Sequence, residues 1–269
     1  MGSKTSKAKR PAITTPRTPQ DIINEILDHL ATDSDFESLL ACALVSKSWI
    51  LSCQRHLFHT ANFTSQRMDR WFNMFPVPEE SPAHHVRVLD ISIRGANWFP
   101  EKFFEHAPQF TNVRSLSLLG EGYRLGPRLP SLWRLPESVT SLTIDVSRKL
   151  VSLLAIWDIM VRLPNLDDLS LWGPFIQMNG GAFLGIGTVP RGRVGGKLVV
   201  RDVHYGNRGV INMLLEIPTG LHFTKVEVDR ARDFIPSVIR LAEVCRKTIV
   251  ELTLNVVFNG KYRPFSWSG

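Results

Sequence analysis

Seven copies of one short pattern constrain this chain more than any other feature. The pattern is apolar-x-x-apolar-x-apolar, at 86–91, 113–118, 139–144, 166–171, 223–228 and 249–254, with a degraded copy in which Gly195 takes the first apolar slot before Leu198 and Val200. At the fourth position of the pattern stand residues 89, 116, 142, 169, 198, 226 and 252, separated by 26 to 29 residues. Spacing this even means that one small unit recurs, and such a unit buries its apolar face only by stacking on its neighbours. The last two apolar positions alternate with polar ones, which is the period of a strand with one buried face. Helical periodicity occupies intervals such as 149–163, 209–217 and 234–245. The expected fold is α/β, with about seven strand–helix units over residues 86–269. A layered α/β sheet is the competing arrangement.

In their Leu-x-x-Leu-x-Leu half these units resemble leucine-rich repeats, most clearly at Leu166-Asp-Asp-Leu169-Ser-Leu171. The other half departs. Leucine-rich repeats usually carry Asn or Cys after the strand, and here Arg94, Glu121, Ser147, Pro174, Val203, Ala231 and Val257 stand there. That Asn normally bonds turn backbone, so the turns of this chain must be satisfied by other groups, in an irregular solenoid. The resemblance implies that the residues between the apolar positions line one exposed, partner-binding face. They include Arg87 and Asp90, then Arg114, then Asp167 and Asp168, then Lys225 and Glu227, and finally Glu251. Small, hydroxylic and oppositely charged side chains suit a protein or peptide partner. Trp172 and Trp98 stand at or just past strand ends, as interface anchors or as core fillers.

The second informative block is 18–60. Ile22, Ile23, Ile26, Leu27 and Leu30 form one wide helical stripe, Pro19 sits where a helix can begin, and Asp21 and Glu25 lie near the positive end of its dipole. After an acidic joint, 39–49 is apolar almost all round, and a third amphipathic stretch carries Arg55, Leu57 and Phe58. The order Pro, acidic-apolar helix, Leu44-Val45-Ser46-x-x-Trp49, Arg55-x-Leu57-Phe58 resembles the F-box, with Thr18 where the family usually has Leu. The resemblance implies three helices that dock on a Skp1-type adaptor, and through it a cullin. The expected docking residues are Pro19, Ile22, Ile23, Ile26, Leu30, Leu39, Leu44, Val45 and Trp49. The family resemblance implies a non-catalytic, substrate-recognition subunit of a Skp1–cullin–F-box ubiquitin ligase. The alternative is a non-ligase repeat scaffold.

Charge separates further classes. Of the net +7, residues 1–18 carry +5, residues 19–60 carry −4, and 61–269 carry +6 scattered over two hundred positions. Without basic residues gathered on one face beside aromatics or a reader motif, nucleic acid is not an expected partner. The polar, basic tail 1–17 reads as disordered; its Met-Gly-Ser-Lys-Thr-Ser start also fits N-myristoylation at Gly2, which would supply the one expected route to a membrane. No apolar run reaches the ~20 residues of a bilayer span, and Cys42, Cys53 and Cys245 lack metal-ligand spacing, so a reducing cytoplasm or nucleus is expected. No cofactor and no metal are expected. Gly195-Gly196-Lys197-Leu198 lacks both the first Gly and the hydroxyl residue of a phosphate loop. His84 and His85, taken as extended, would point to opposite sides, and Asp167-Asp168 reads as strand surface rather than a carboxylate pair. No nucleophile elbow is present, so no enzyme is expected. Residues 61–85 read as a packed linker, and 173–196, with eight of the eighteen glycines, as a loop. The chain stops fifteen residues after Leu254 with no polar cap, which predicts a further segment or a partner over that end.

Overall fold

Register across the sheet follows the spacing of the sequence. In the computed structural model the fourth positions Leu89, Leu116, Leu142, Leu169, Leu198, Val226 and Leu252 are lateral partners in one unbroken row. Two residues on, Ile91, Leu118, Ile144, Leu171, Val200, Val228 and Leu254 form a second row. The structure describes residues 19–94, 103, 106–121, 136–146, 151–173, 175–176, 194–201, 207–217, 220–229, 235–258 and 261–268. They fall into two units divided between Leu57 and Phe58.

The first unit is three helices, α1 (Gln20–Thr32), α2 (Phe36–Val45) and α3 (Lys47–Leu57). Pro19 opens α1 with its carbonyl taking the amides of Ile22 and Ile23. At the other end Ser34 adopts φ +57, while the Asp35 amide reaches Leu30 O and the Ser34 amide reaches Ala31 O. That pair of bonds is the Schellman closure, made here without glycine. Asp35 then caps α2 by accepting the Ser38 amide at 3.0 Å, and bonds from Ser38 hold its carboxyl below the usual carboxylate range. Ser46 is extended and separates α2 from α3, its hydroxyl oxygen accepting the Ser48 amide.

The second unit holds a nine-stranded mixed sheet, ordered β1 (Thr60–Phe63), β2 (Val88–Arg94), β3 (Ser115–Glu121), β4 (Ser141–Asp145), β6 (Asp168–Trp172), β8 (Val194–Arg201), β9 (Leu221–Asp229), β10 (Glu251–Phe258) and β11 (Lys261–Ser268). Every pairing is parallel except β10 with β11. β5 (Val151–Ser152) and β7 (Phe175–Ile176) make a separate pair. The described helices are α4 (Ser65–Met74), α5 (Leu153–Val161), α6 (Asn207–Leu215) and α7 (Ile235–Val244). Side chains from all four join the two apolar strand rows in one continuous core, filled by residues such as Phe72, Trp157, Ile211 and Val238.

The stretch 61–85 does not stand apart from this sheet. Ala61 pairs with Leu89, one period earlier, so β1 and α4 form an additional unit before the first recognised copy. Its core includes Phe63, Met68 and Phe72, with Trp71 packed on it and edge-on to Phe63 at 5.3 Å. His84 and His85 lie in a short 3-10 turn, Pro82–His85, with ring centroids 3.9 Å apart, instead of pointing to opposite sides of an extended chain. Of the expected loop 173–196, Phe175–Ile176 is strand β7 and Val194–Gly196 belong to β8, while 174 and 177–193 lie outside the described residues.

The turn donors missing after the strands lie before them. Asn112 Nδ2 donates to His84 O at 2.7 Å, Ser138 Oγ bonds Thr111 O and Val113 O at 2.9 and 2.7 Å, Asn165 Nδ2 donates to Glu137 O at 2.9 Å, and Thr248 Oγ1 bonds Phe223 O at 3.0 Å. Each sits four residues before a fourth position, at 116, 142, 169 and 252, so a polar ladder ties each of these units to its predecessor. Removing a donor leaves a carbonyl poorly served, and Asn112→Ala and Ser138→Ala should each lower the unfolding free energy by about 1 kcal/mol. Urea midpoints equal to that of the parent chain would remove the ladder from the account of the turns.

Candidate functional site: two docking surfaces

The helical unit has few places to hide its apolar residues. Ile23, Leu27, Leu39 and Cys53 are its buried core, with Leu30, Cys42, Trp49 and Leu57 half-buried around them. Ser52 bonds Asn24 at 3.1 Å and His56 approaches Asp28 at 3.1 Å, which pins α3 to α1. Burial pushes the Cys53 thiol up, so it stays a protonated core group. What remains points outward: Ile22 and Ile26 on α1, Phe36, Leu40, Leu44 and Val45 on α2, Ile50 and Leu51 on α3. Leu44 is 88% exposed and Val45 69%, values a large aliphatic side chain reaches only where nothing covers it.

The nine residues expected to dock an adaptor therefore separate into two groups. Ile22, Ile26, Leu44 and Val45 are exposed, as is Pro19 at the start of α1. Ile23 and Leu39 are buried within the unit and hold the helices to one another, so their side chains are not presented at its surface; Leu30 and Trp49 pack half-buried on that core. Phe36, Leu40, Ile50 and Leu51 were not among the expected residues. For Phe36 and Leu40 the signal was a second helix apolar on more than one side, since a three-helix unit can cover only one; Ile50 and Leu51 lie on α3.

On the sheet, alternation places the second surface. Residues Asp90, Asp168, Trp172, Lys225, Glu227 and Glu251 alternate with the core positions and share the opposite face. Arg87, Arg114 and Asp167 do not join them. They stand one residue before β2, β3 and β6, where their carbonyls receive amides of the following unit: Arg87 O those of Arg114 and Ser115, Arg114 O those of Thr140 and Ser141, Asp167 O that of Lys197. The Arg87 guanidinium is itself spent on Asn112 O at 3.2 Å. Asp168 Oδ1 accepts the Lys197 amide at 3.0 Å, which steadies β6 against β8.

Trp172 is the centre of an arrangement that the repeat pattern does not announce. Its lateral neighbour Arg201 lays its guanidinium 4.9 Å from the indole centroid and reaches Glu227 at 2.7 Å and Asp229 at 3.8 Å. Asn255 donates to Asp229 at 2.5 Å, and Lys225 pairs with Glu251 at 3.0 Å. Arg201, Asp229 and Asn255 escaped the pattern because they follow its final apolar position. Trp98 and Gly2 lie outside the described residues. Among the described residues no group of three or more His, Cys, Asp or Glu could hold a metal ion, and no helix is long and apolar enough to cross a membrane.

No curated protein and no solved structure matches the chain. The leucine-rich-repeat resemblance of the sheet is not supported by a family match. The three-helix unit is: residues 19–60 match the F-box domain.

Proposed function

We propose that this chain is a substrate-recognition subunit of a Skp1–cullin–F-box ubiquitin ligase, working in the cytoplasm or nucleus. The observation that carries the reading is an F-box match whose helices leave Ile22, Ile26, Leu44 and Val45 uncovered. An adaptor groove would cover those side chains, since an apolar helical face seated on a partner loses water much as a core does. The second unit is read as a leucine-rich-repeat-like solenoid that offers its polar sheet face to a protein substrate. What supports that reading is the 26–29-residue period and the common register of its fourth positions. Its role is proximity: it would hold a target lysine near a ubiquitin-charged enzyme and raise the local concentration of the reacting groups. No residue of this chain needs to touch the bond being made.

Co-expression with Skp1 tests the reading. The two chains should co-purify as a one-to-one complex through size exclusion, and Skp1 should raise the soluble yield. A chain that is monomeric, well behaved and blind to Skp1 would sink the receptor reading and leave a repeat scaffold.

A further inference from the structure

The sheet face opposite the core carries the opposite sign to the chain. Among the described side chains of that face the acids are Asp90, Asp145, Asp168, Glu227, Asp229 and Glu251, and the bases are Lys197, Arg201 and Lys225. Six acids against three bases leave −3 among these described side chains, on a chain of +7. Two of the bases are already engaged by acids of the same face, Arg201 with Glu227 and Lys225 with Glu251. Apart from Trp172 and Leu119, much of the rest of the face is short and uncharged, with Ser115, Ser117, Ser141, Thr143 and Ser170 beside the acids.

Arg201 shows what this surface does with a cation. Its guanidinium lies over the Trp172 indole and is flanked by two carboxylates, which is the chemistry by which a protein holds an arginine side chain of another molecule. From β2 to β10 the face is seven strands wide, about 29 Å at ordinary strand spacing, or the length of roughly nine extended residues.

We propose that this face binds an extended segment rich in lysine and arginine, and that such a segment is the recognition element of the substrate. The proposal rests on the receptor reading given above, which it makes specific. Charge complementarity selects the occupant: an acidic or neutral segment would meet a face already carrying excess carboxylate.

The test is fluorescence anisotropy of the full chain with a labelled eleven-residue peptide of alternating lysine and serine, and its glutamate–serine counterpart. The lysine peptide should bind with a dissociation constant of tens of micromolar and weaken at least fivefold between about 50 and 300 mM salt, since exposed pairs are screened. Asp168→Asn with Glu251→Gln should weaken it about fivefold, and Lys197→Glu should tighten it about threefold. The tightening cannot arise from misfolding. A lysine peptide that binds no better than the glutamate peptide, or equally to all three chains, overturns the proposal. So does peptide binding that tightens once residues 1–17 are deleted, which would give the face to the chain's own basic tail, or a dimer that the peptide dissolves, which would give it to a second copy. Skp1 capture is measured on the same preparations. Retained capture without peptide binding sinks only this proposal, and peptide binding without capture sinks only the ligase reading.

Discussion

Ile22→Asp combined with Leu44→Lys should reduce affinity for Skp1 by a hundredfold or more and leave the helices folded. Ile22 is 48% exposed and Leu44 88% exposed, so neither supports the helical core, and surface changes of this kind shift stability by about 0.5 kcal/mol at most. Both replacements also suit their helices, an anion in the first turn of α1 and a cation in the last turn of α2. Each would drive a desolvated charge into an apolar contact, and anchor residues at the centre of interfaces cost about 2 kcal/mol or more apiece when lost. Circular dichroism and the melting curve should match those of the parent chain. Leu39→Asp is the informative contrast: Leu39 is fully buried, so that change should lose the fold and the binding together. Undiminished capture of Skp1 by the Ile22/Leu44 double variant would show that the outward residues are not the docking surface.

Gly196→Ala should be the most damaging single methyl in the sheet. Gly196 has φ +66, and a Cβ placed there would lie 2.3 Å from Asp167 O. That carbonyl takes the Lys197 amide at 3.1 Å, Gly196 O takes the Thr224 hydroxyl at 3.1 Å, and the register of β8 against β9 shifts between Gly196 and Lys197. A left-handed conformation costs an ordinary residue about 1–2 kcal/mol, and a displaced backbone would weaken one or two bonds of about 1 kcal/mol each. A loss of about 3 kcal/mol follows, equivalent to roughly 6–12 °C in melting temperature for a unit of this size. Gly195, whose added Cβ would lie 3.2 Å from His222 O without a left-handed φ, should tolerate alanine at less than half that cost. Calorimetry on both variants decides it; equal melting temperatures would remove the bulge as the reason for glycine.

How much of this was legible depended on what each residue type can advertise. The large aliphatic residues at the repeat positions made the period visible, and the strands align on it. The additional unit at β1 stayed hidden because Ala61 is too small to mark an apolar slot, although it occupies the same row. The turn ladder was sought after the strands, where leucine-rich repeats keep an Asn; here Asn112, Ser138, Asn165 and Thr248 do related work before them. Arg87, Arg114 and Asp167 stand one residue before their strands, where alternation no longer assigns a side chain to a face. In the helical unit, both Ile22 and Ile23 belong to one apolar stripe. Only the positions of the neighbouring helices decide that Ile23 is shut in and Ile22 left out.

The side-chain ladder has a bearing on how the sheet comes apart. Each of its bonds spans one period and stops at the adjacent unit. Coupling through this ladder should therefore pass from unit to unit, and opening is expected to begin at exposed edges. Amide protons of β4 and β6 would exchange slowest, and those of β1 and β11 fastest. A partner lying across several strands would then act as a splint, lending the outer units some of the persistence of the inner ones.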